Sequence, residues 1–434
     1  MQTVGVDIGT TTISAVVLDI DNKAVIESRT VDNGSFIETE HSWERIQDPE
    51  VIVSKAKAVL DELLTAYPDV CGIGLTGQMH GILYTNGTGR AVSPLYTWQD
   101  QRSMLSEDGD SVIRKVTDKT EVKLAAGYGL ATHLYQLGHG LVPQGAESLC
   151  TIPDYLGMIL TGRKTPLMHI SMAASIGFFD KDDLVFMVNE FAMAGGDPDI
   201  LPEVSDSIVS LGEYRGYPVS VAIVDNQASF LGSVGYEKDT LLLNVGTGGQ
   251  VSVLSEKPFE APGIEARPFT KDSYLLVGSS LCGGRAYAIL EKFFRSYVLE
   301  VCGTEMPQYD VMERLALRAM SEENGMKVRT TFKGTRVDPD LRGSIENISE
   351  ESFTPEGLIA GVMKGLLDEL YDMYIAVSSG TGICVQKVIG SGNGIRKNKV
   401  MQKIAQERFN AELSLALYKE EAACGAAISS SYVA

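Results

Sequence analysis

The chain has 434 residues, of which 44% are hydrophobic, 22% charged and 7% aromatic; this is globular composition with length for two or three cores, which excludes a disordered, collagen-like or disulfide-scaffold protein. Its 37 lysines and arginines stand against 57 aspartates and glutamates, a net charge of −20 that repels a phosphate backbone or an anionic leaflet, so neither nucleic acid nor a membrane surface is an expected partner. The six cysteines (Cys71, Cys150, Cys282, Cys302, Cys384, Cys424) form no Cys-x-x-Cys pair, which points to reduced, buried thiols and away from zinc. The start of the chain reads as a strand without leader features, and the longest charge-free stretch, residues 124–146, is too rich in glycine and polar groups to span a bilayer. The expectation is a cytoplasmic protein, monomer or homodimer.

In chain order, residues 4–7, 14–20 and 24–31 read as strands, the last two joined by an Asp21-Asn22 turn. Asp48 and Pro49 then cap and open a helix to about residue 67, followed by a buried strand at 70–75. Helices are expected near 153–160 and 182–194, and an apolar strand at 218–224. The order is that of a mixed α/β unit.

The second half begins in the same way. Asp7-Ile-Gly-Thr-Thr-Thr-Ile-Ser-Ala-Val-Val17 lies on Asn244-Val-Gly-Thr-Gly-Gly-Gln-Val-Ser-Val-Leu254 without a gap, each a strand, a glycine turn and a return strand. Thr354 and Pro355 start a long helix, residues 387–390 form a short strand, a glycine-bearing turn leads into a helix to about 410, and residues 420–430 form a closing helix. The expected architecture is a duplicated α/β fold, with domains at 1–235 and 236–434 and a cleft between the copies.

Glycine turns whose bare N–H groups point outward make anion nests, so Gly9, Thr10, Thr11 and Thr12 in one copy and Gly246, Thr247 and Gly248 in the other are candidates for holding a polyphosphate. Asp7, at the mouth of the first turn, is suited to a magnesium ion held through water, because a carboxylate repels phosphate. No Gly-x-x-x-x-Gly-Lys-Ser/Thr occurs. Gly72-Ile-Gly-Leu-Thr-Gly77 matches a dinucleotide fingerprint, but residues 78–84 directly after it read as loop and strand, not helix.

Eight segments occur in one order: Asp7-Ile-Gly-Thr-Thr-Thr12, Thr76-Gly-Gln-Met-His-Gly81, Thr97-Trp-Gln-Asp-Gln-Arg102, Asp154-Tyr-Leu with Leu160-Thr-Gly162, Val224-Asp-Asn226, Asn244-Val-Gly-Thr-Gly248, Gly390-Ser-Gly392 and Glu420-Glu-Ala-Ala-Cys-Gly425. Together they resemble the FGGY carbohydrate kinases over essentially the whole chain, with the Gln-Met-His-Gly and Trp-x-Asp pieces closest in character to the xylulokinase and sedoheptulokinase branch. The resemblance implies two actin-like (ribonuclease H-like) α/β domains and ATP- and magnesium-dependent phosphorylation of a ketose, sedoheptulose- or xylulose-like, at a terminal hydroxyl. Another pentulose or polyol, or a non-kinase ATPase or sugar sensor of the same superfamily, is the alternative.

The resemblance further implies that Asp225 is the catalytic base; on sequence alone a helix N-cap fits it equally well. Gln78, Met79, His80, Trp98, Gln99 and Asp100 are the candidate sugar-binding residues, polar groups for vicinal hydroxyls beside two apolar faces, and a structural role is the alternative for His80. Gly390, Gly392 and Asn393 are candidates for letting backbone approach adenine. The sequence departs from the family's pattern at Val224, where glycine is usual, and at Gln99, where asparagine is common.

Overall fold

The computed structural model describes residues 1–107, 109–319 and 325–434. They divide into two compact units, the first made of Met1–Gly235, Pro268–Asp272 and Tyr418–Ala434, the second of Tyr236–Arg267 and Ser273–Leu417.

The first unit is built on a seven-stranded sheet. At its centre Gln2–Ile8 pairs antiparallel with Thr12–Asp19 and parallel with Val70–Gly77; Ala24–Asp32 flanks the hairpin, and Tyr217–Ser220 pairs parallel on the far side. Alternation of Val4, Val6 and Ile8 with Ile13, Ala15 and Val17 supplies one buried face. The helix Pro49–Ala66 covers it with Ile52, Ala56, Leu60 and Leu63, and starts where Asp48 accepts the Glu50 and Val51 N–H groups at 2.9 and 3.2 Å.

The second unit repeats the central five strands in order and direction. Thr240–Val245 pairs antiparallel with Gly249–Ser255, which pairs antiparallel with Ser273–Ser280; on its other side Thr240–Val245 runs parallel to Lys387–Ser391, and that strand parallel to Glu412–Leu415. A helix again leads into the fourth strand, here Pro355–Thr381, the last element of a longer connection, capped by the Thr354 hydroxyl at the Gly357 N–H. The duplication read from the sequence is thus present as topology, but its ungapped alignment is not. Ile8 pairs with Ile13 around four turn residues, while Val245 pairs with Gly249 around three, so the return strands correspond with a shift of one. The shift sets Ser14 against Gln250 and Ala15 against Val251, and so keeps the buried faces in step.

By compactness the last helix, Glu421–Ser430, falls in the first unit, although it follows the second along the chain. Small residues explain this. A Cβ at Gly5 or Gly74 would stand 1.8 Å from the carbonyl oxygen of Ala423 or Ala426, so the helix lies directly on the strands Gln2–Ile8 and Val70–Gly77. The helix expected at 182–194 is confined to Val188–Met193, because Asp180 Oδ1 accepts the Asp182 and Asp183 N–H groups in a turn and Val185–Phe186 then forms a strand. All six cysteines are free; three are buried and Cys71, Cys302 and Cys384 are exposed, against the expectation of burial. Among the described residues no helix is long and apolar enough to cross a membrane.

Candidate functional site

Strand register assembles the site in the first unit. Ile8 pairs with Gly77 and Gly77 with Val224 across three neighbouring parallel strands. The residues that come next, Gly9, Gln78 and Asp225, therefore leave the sheet side by side at the carboxyl ends of the strands, where ligands of open α/β sheets bind. The apolar run at 218–224 is not one strand: Val219 pairs with Ile73 but Ile223 with Thr76, so one extra residue bulges out between them. Gly72 to Gly77 lies inside the strand Val70–Gly77, which disposes of the dinucleotide fingerprint.

The first glycine turn is held by its carbonyl groups. Asn33 Nδ2 donates to Gly9 O at 2.7 Å, Gln47 Nε2 to Thr10 O at 2.9 Å and the Asn33 N–H to Thr11 O at 2.8 Å. Three consecutive carbonyls turned inward meet one condition of an anion nest, and Thr11 and Thr12 are exposed at its tip. Asp7 stands at the base of this turn with Oδ1 buried and without a hydrogen-bond partner. Burial, then the negative charges of Asp225 and Glu420, push its carboxyl up to about 7.

Asp225 is the first residue of the helix Asp225–Ser233; the cap position belongs to Val224, with φ −64° and ψ 145°. No left-handed conformation is needed there, so valine in place of glycine is accommodated. The Val224 N–H donates to Ser171 Oγ at 3.3 Å. That hydroxyl in turn donates to His169 Nδ1 at 2.9 Å, an acceptor it shares with the Ser171 N–H. Burial pushes His169 down to about 4, which keeps it a neutral acceptor beneath the Asp225 loop.

The sugar candidates divide. Trp98 is 45% exposed, and its Nε1 donates to Thr10 Oγ1 at 3.0 Å. His80 has φ +74° and stacks on Tyr128 with ring centroids 4.7 Å apart. Its Nδ1 donates to Ser175 O at 2.5 Å, which makes Nε2 the acceptor of the neutral ring. Met79 and Gln99 are half-buried beside them. Gln78 is only 4% exposed, with its amide engaged by Gln47 and Thr10.

Asp100 is not placed to read a sugar. It is 0% exposed, and its Oδ1 accepts from Arg102 Nε at 2.7 Å and from the Arg102 N–H at 3.1 Å. Its Oδ2 accepts from Arg102 Nη2 and from the Arg45 N–H, both at 2.9 Å. The carboxylate is fully used in holding the loop that presents Trp98 and Gln99.

Asp154 is likewise internal, 1% exposed. Oδ2 accepts from Thr151 Oγ1 at 2.6 Å, Oδ1 has no partner, and burial pushes the carboxyl up to about 7. A carboxyl raised in the fold stabilises below its unfolded value near 4, and that contribution is lost as pH rises through about 7. Melting curves at pH 5 and pH 8 are expected to show the wild type losing on the order of 2 kcal/mol from this group over that interval. In Asp154→Asn that part of the pH dependence should vanish, leaving the contribution of the same sign from Asp7.

In the second unit a cavity of about 810 Å³ is lined by Gly246, Thr247, Gly392 and Asn393 from the expected set. Gly390 is not in its wall; it sits buried in the strand Lys387–Ser391. Gly392, with φ +83°, is required by backbone packing, since a Cβ there would lie 2.7 Å from Val245 O. Gly248 lies exposed at the tip of the same turn, outside the cavity wall. The turn is anchored to the start of the helix Gly283–Cys302, whose Gly284 and Arg285 N–H groups donate to Gly246 O at 2.8 Å and Thr247 O at 3.1 Å. Arg285, Tyr287, Tyr309, Glu313 and Lys397 also line the cavity and were not singled out from the sequence; the Gly283-Gly284-Arg285 turn after an apolar strand was the available signal.

Models of the FGGY family of carbohydrate kinases match this chain twice, the N-terminal domain at residues 2–232 and the C-terminal domain at 241–434. Human sedoheptulokinase is 27% identical over 98% of this chain and 96% of that protein. Gluconokinase of Bacillus subtilis is 22% identical over 98% of this chain and 86% of its own length. The crystal structure of xylulose kinase from Rhodospirillum rubrum superposes with a TM-score of 0.84 at 21% identity, covering 99% of this chain and 89% of that one, a likeness of fold.

Proposed function

Because the chain belongs to the FGGY family of carbohydrate kinases, we propose that it transfers the terminal phosphoryl group of ATP to a terminal hydroxyl of an uncharged ketose, sedoheptulose- or xylulose-like. Relatives with names of both kinds match, those of neutral ketose kinases and those of gluconokinases. One observation favours the neutral sugar. The segments Thr76 to Gly81 and Thr97 to Arg102 contain a single cation, Arg102, and it is 3% exposed, paired with Asp100 and with Glu44 at 3.3 Å. A gluconate carboxylate would find no available guanidinium in these segments.

Phosphoryl transfer asks mainly for positioning and charge neutralisation. Asp225 takes the proton of the attacking hydroxyl, the indole face of Trp98 packs against the sugar carbons, and His80 Nε2 accepts from a hydroxyl. The turns at Gly9 to Thr12 and Gly246 to Gly248 hold phosphates, and the 810 Å³ cavity takes the nucleoside. Asp7 fits a magnesium ion: its buried, unpartnered Oδ1 is a hard oxygen donor. Among the described residues no group of three or more His, Cys, Asp or Glu side chains is spaced to hold a metal ion by itself, so water and phosphate oxygens would complete the shell. When bound, the ion neutralises phosphate charge.

A coupled ADP-release screen over sedoheptulose, xylulose, ribulose, glycerol and gluconate tests this reading. A ketose is expected to give the highest kcat/KM, with gluconate at least tenfold lower, the discrimination of a lost charged hydrogen bond of about 1.5–3 kcal/mol. Gluconate as the best acceptor would overturn the neutral-sugar assignment; no turnover with any of the five would overturn the kinase reading.

A further inference from the structure

Thr10 belongs to two sets of contacts at once. It lies in the turn assigned to phosphate, and its hydroxyl is the partner of two side chains assigned to the sugar. Trp98 Nε1 donates to Thr10 Oγ1 at 3.0 Å, and Thr10 Oγ1 donates to Gln78 Oε1 over a long 3.5 Å. Gln78 Nε2 donates to Gln47 Oε1 at 2.9 Å, and Gln47 Nε2 donates back to the Thr10 carbonyl at 2.9 Å. Every donor in this sequence of bonds meets an acceptor, so the bonds orient one another around a closed ring in which Gln47 touches both the turn and the sugar loop.

Gln47 lies in none of the eight motif segments. It is 0% exposed, in the two-residue strand Ile46–Gln47, which pairs antiparallel with Leu95–Tyr96 just before Trp98. A buried primary amide is costly unless it is hydrogen-bonded, and here its carbonyl and one N–H are spent on the two functional segments.

We propose that Gln47 is a positioning residue that makes sugar binding and terminal-phosphate binding cooperative. A sugar packed on Trp98 fixes the indole, the indole fixes the Thr10 hydroxyl, and Gln47 holds the Thr10 carbonyl so that the turn keeps its phosphate-binding shape. This rests on the sugar kinase reading above. The coupling belongs to the terminal phosphate because the first turn, not the nucleoside cavity, carries the ring.

Calorimetric titrations separate the possibilities. The ketose with the highest turnover in the screen is used, and dissociation constants of a non-hydrolysable ATP analogue and of ADP are measured with and without it. In the wild type the sugar should tighten the triphosphate analogue about fivefold or more relative to its effect on ADP, the lower end of ordinary coupling between sites. Gln47→Glu, titrated at a pH where its carboxyl is ionised, keeps the shape and the acceptor for Gln78 but cannot donate to Thr10. It should reduce that differential to about twofold or less while ADP affinity stays put. Thr10→Val, which deletes the bridging hydroxyl, should do the same, and Thr10→Ser should restore the wild-type ratio. This pair also covers the case of a Gln47 variant that does not fold. A wild type without the differential, or a folded Gln47→Glu or Thr10→Val protein that keeps it, overturns the proposal. A protein that turns over ketoses yet fails these titrations loses only the coupling, whereas one that turns over none loses the kinase reading.

Discussion

Replacing Asp225 by alanine is expected to lower turnover by roughly 10²–10⁴, the weight of a positioned general base, while nucleotide affinity stays near its wild-type value. Two roles were open to this residue on sequence, and the structure separates what each predicts. The cap position is held by Val224, and the Asp225 carboxylate accepts the N–H of the next residue, Asn226, at 2.6 Å, a bond at the start of the helix Asp225–Ser233 that alanine cannot make. After burial, the Asp225 charge is the largest effect raising Asp7, ahead of that of Glu420. Removing one charge from such a set relieves repulsion. With the relieved repulsion set against the lost Asn226 bond, Asp225→Ala should melt close to the wild type at pH 8, and Asp7 should titrate at lower pH, where its neighbour's charge no longer opposes ionisation. Turnover and melting together decide the matter. A variant that melts earlier and retains its turnover shows that Asp225 is a structural residue and that the base lies elsewhere.

How much could be read from the sequence depends on how local each signal is. Gly-Thr after an apolar strand is a local pattern, and both turns lie where it put them. The Asp48 cap and the Thr354 cap are equally local, a side chain and the N–H two or three residues on. The one-residue difference between the two turns is not local, because only pairing partners reveal it. Nor is the placement of the closing helix: Ala423 and Ala426 read as ordinary helix formers until Gly5 and Gly74, some 350 to 420 residues away in sequence, come against them. The 810 Å³ cavity draws its walls from four separate stretches, so Arg285, Tyr287 and Lys397 had no shared motif to announce them. Gln47 shows the same limit at the other site, since its importance lies in two bonds to segments far from it in sequence.

Asp100 is where motif reading and geometry part, and its substitution carries the second large expected effect. The motif places it next to Trp98 and Gln99, which implies a sugar contact and a ten- to hundredfold loss of affinity in Asp100→Ala if it touches a hydroxyl. The structure gives its two oxygens four donors, all from Arg45 and Arg102. Arg102 is 3% exposed and lies over the Tyr96 ring at 4.3 Å, with Glu44 as its other carboxylate. Taking Asp100 away leaves a buried guanidinium with one weaker partner and strands the Arg45 N–H. Breaking a buried pair from one side costs about 3–5 kcal/mol, whereas replacing both partners by apolar groups costs much less. Asp100→Ala should therefore melt well below the wild type, and Asp100→Leu combined with Arg102→Met should recover much of the loss, a non-additivity that residues in direct contact show and independent ones do not. Sugar KM should rise only as far as the loop carrying Trp98 loosens, and Trp98→Ala should raise it further than Asp100→Ala does at a temperature where both are folded. An Asp100→Ala protein with wild-type melting and a hundredfold weaker sugar would return Asp100 to the binding site and require its carboxylate to leave Arg102 when substrate arrives.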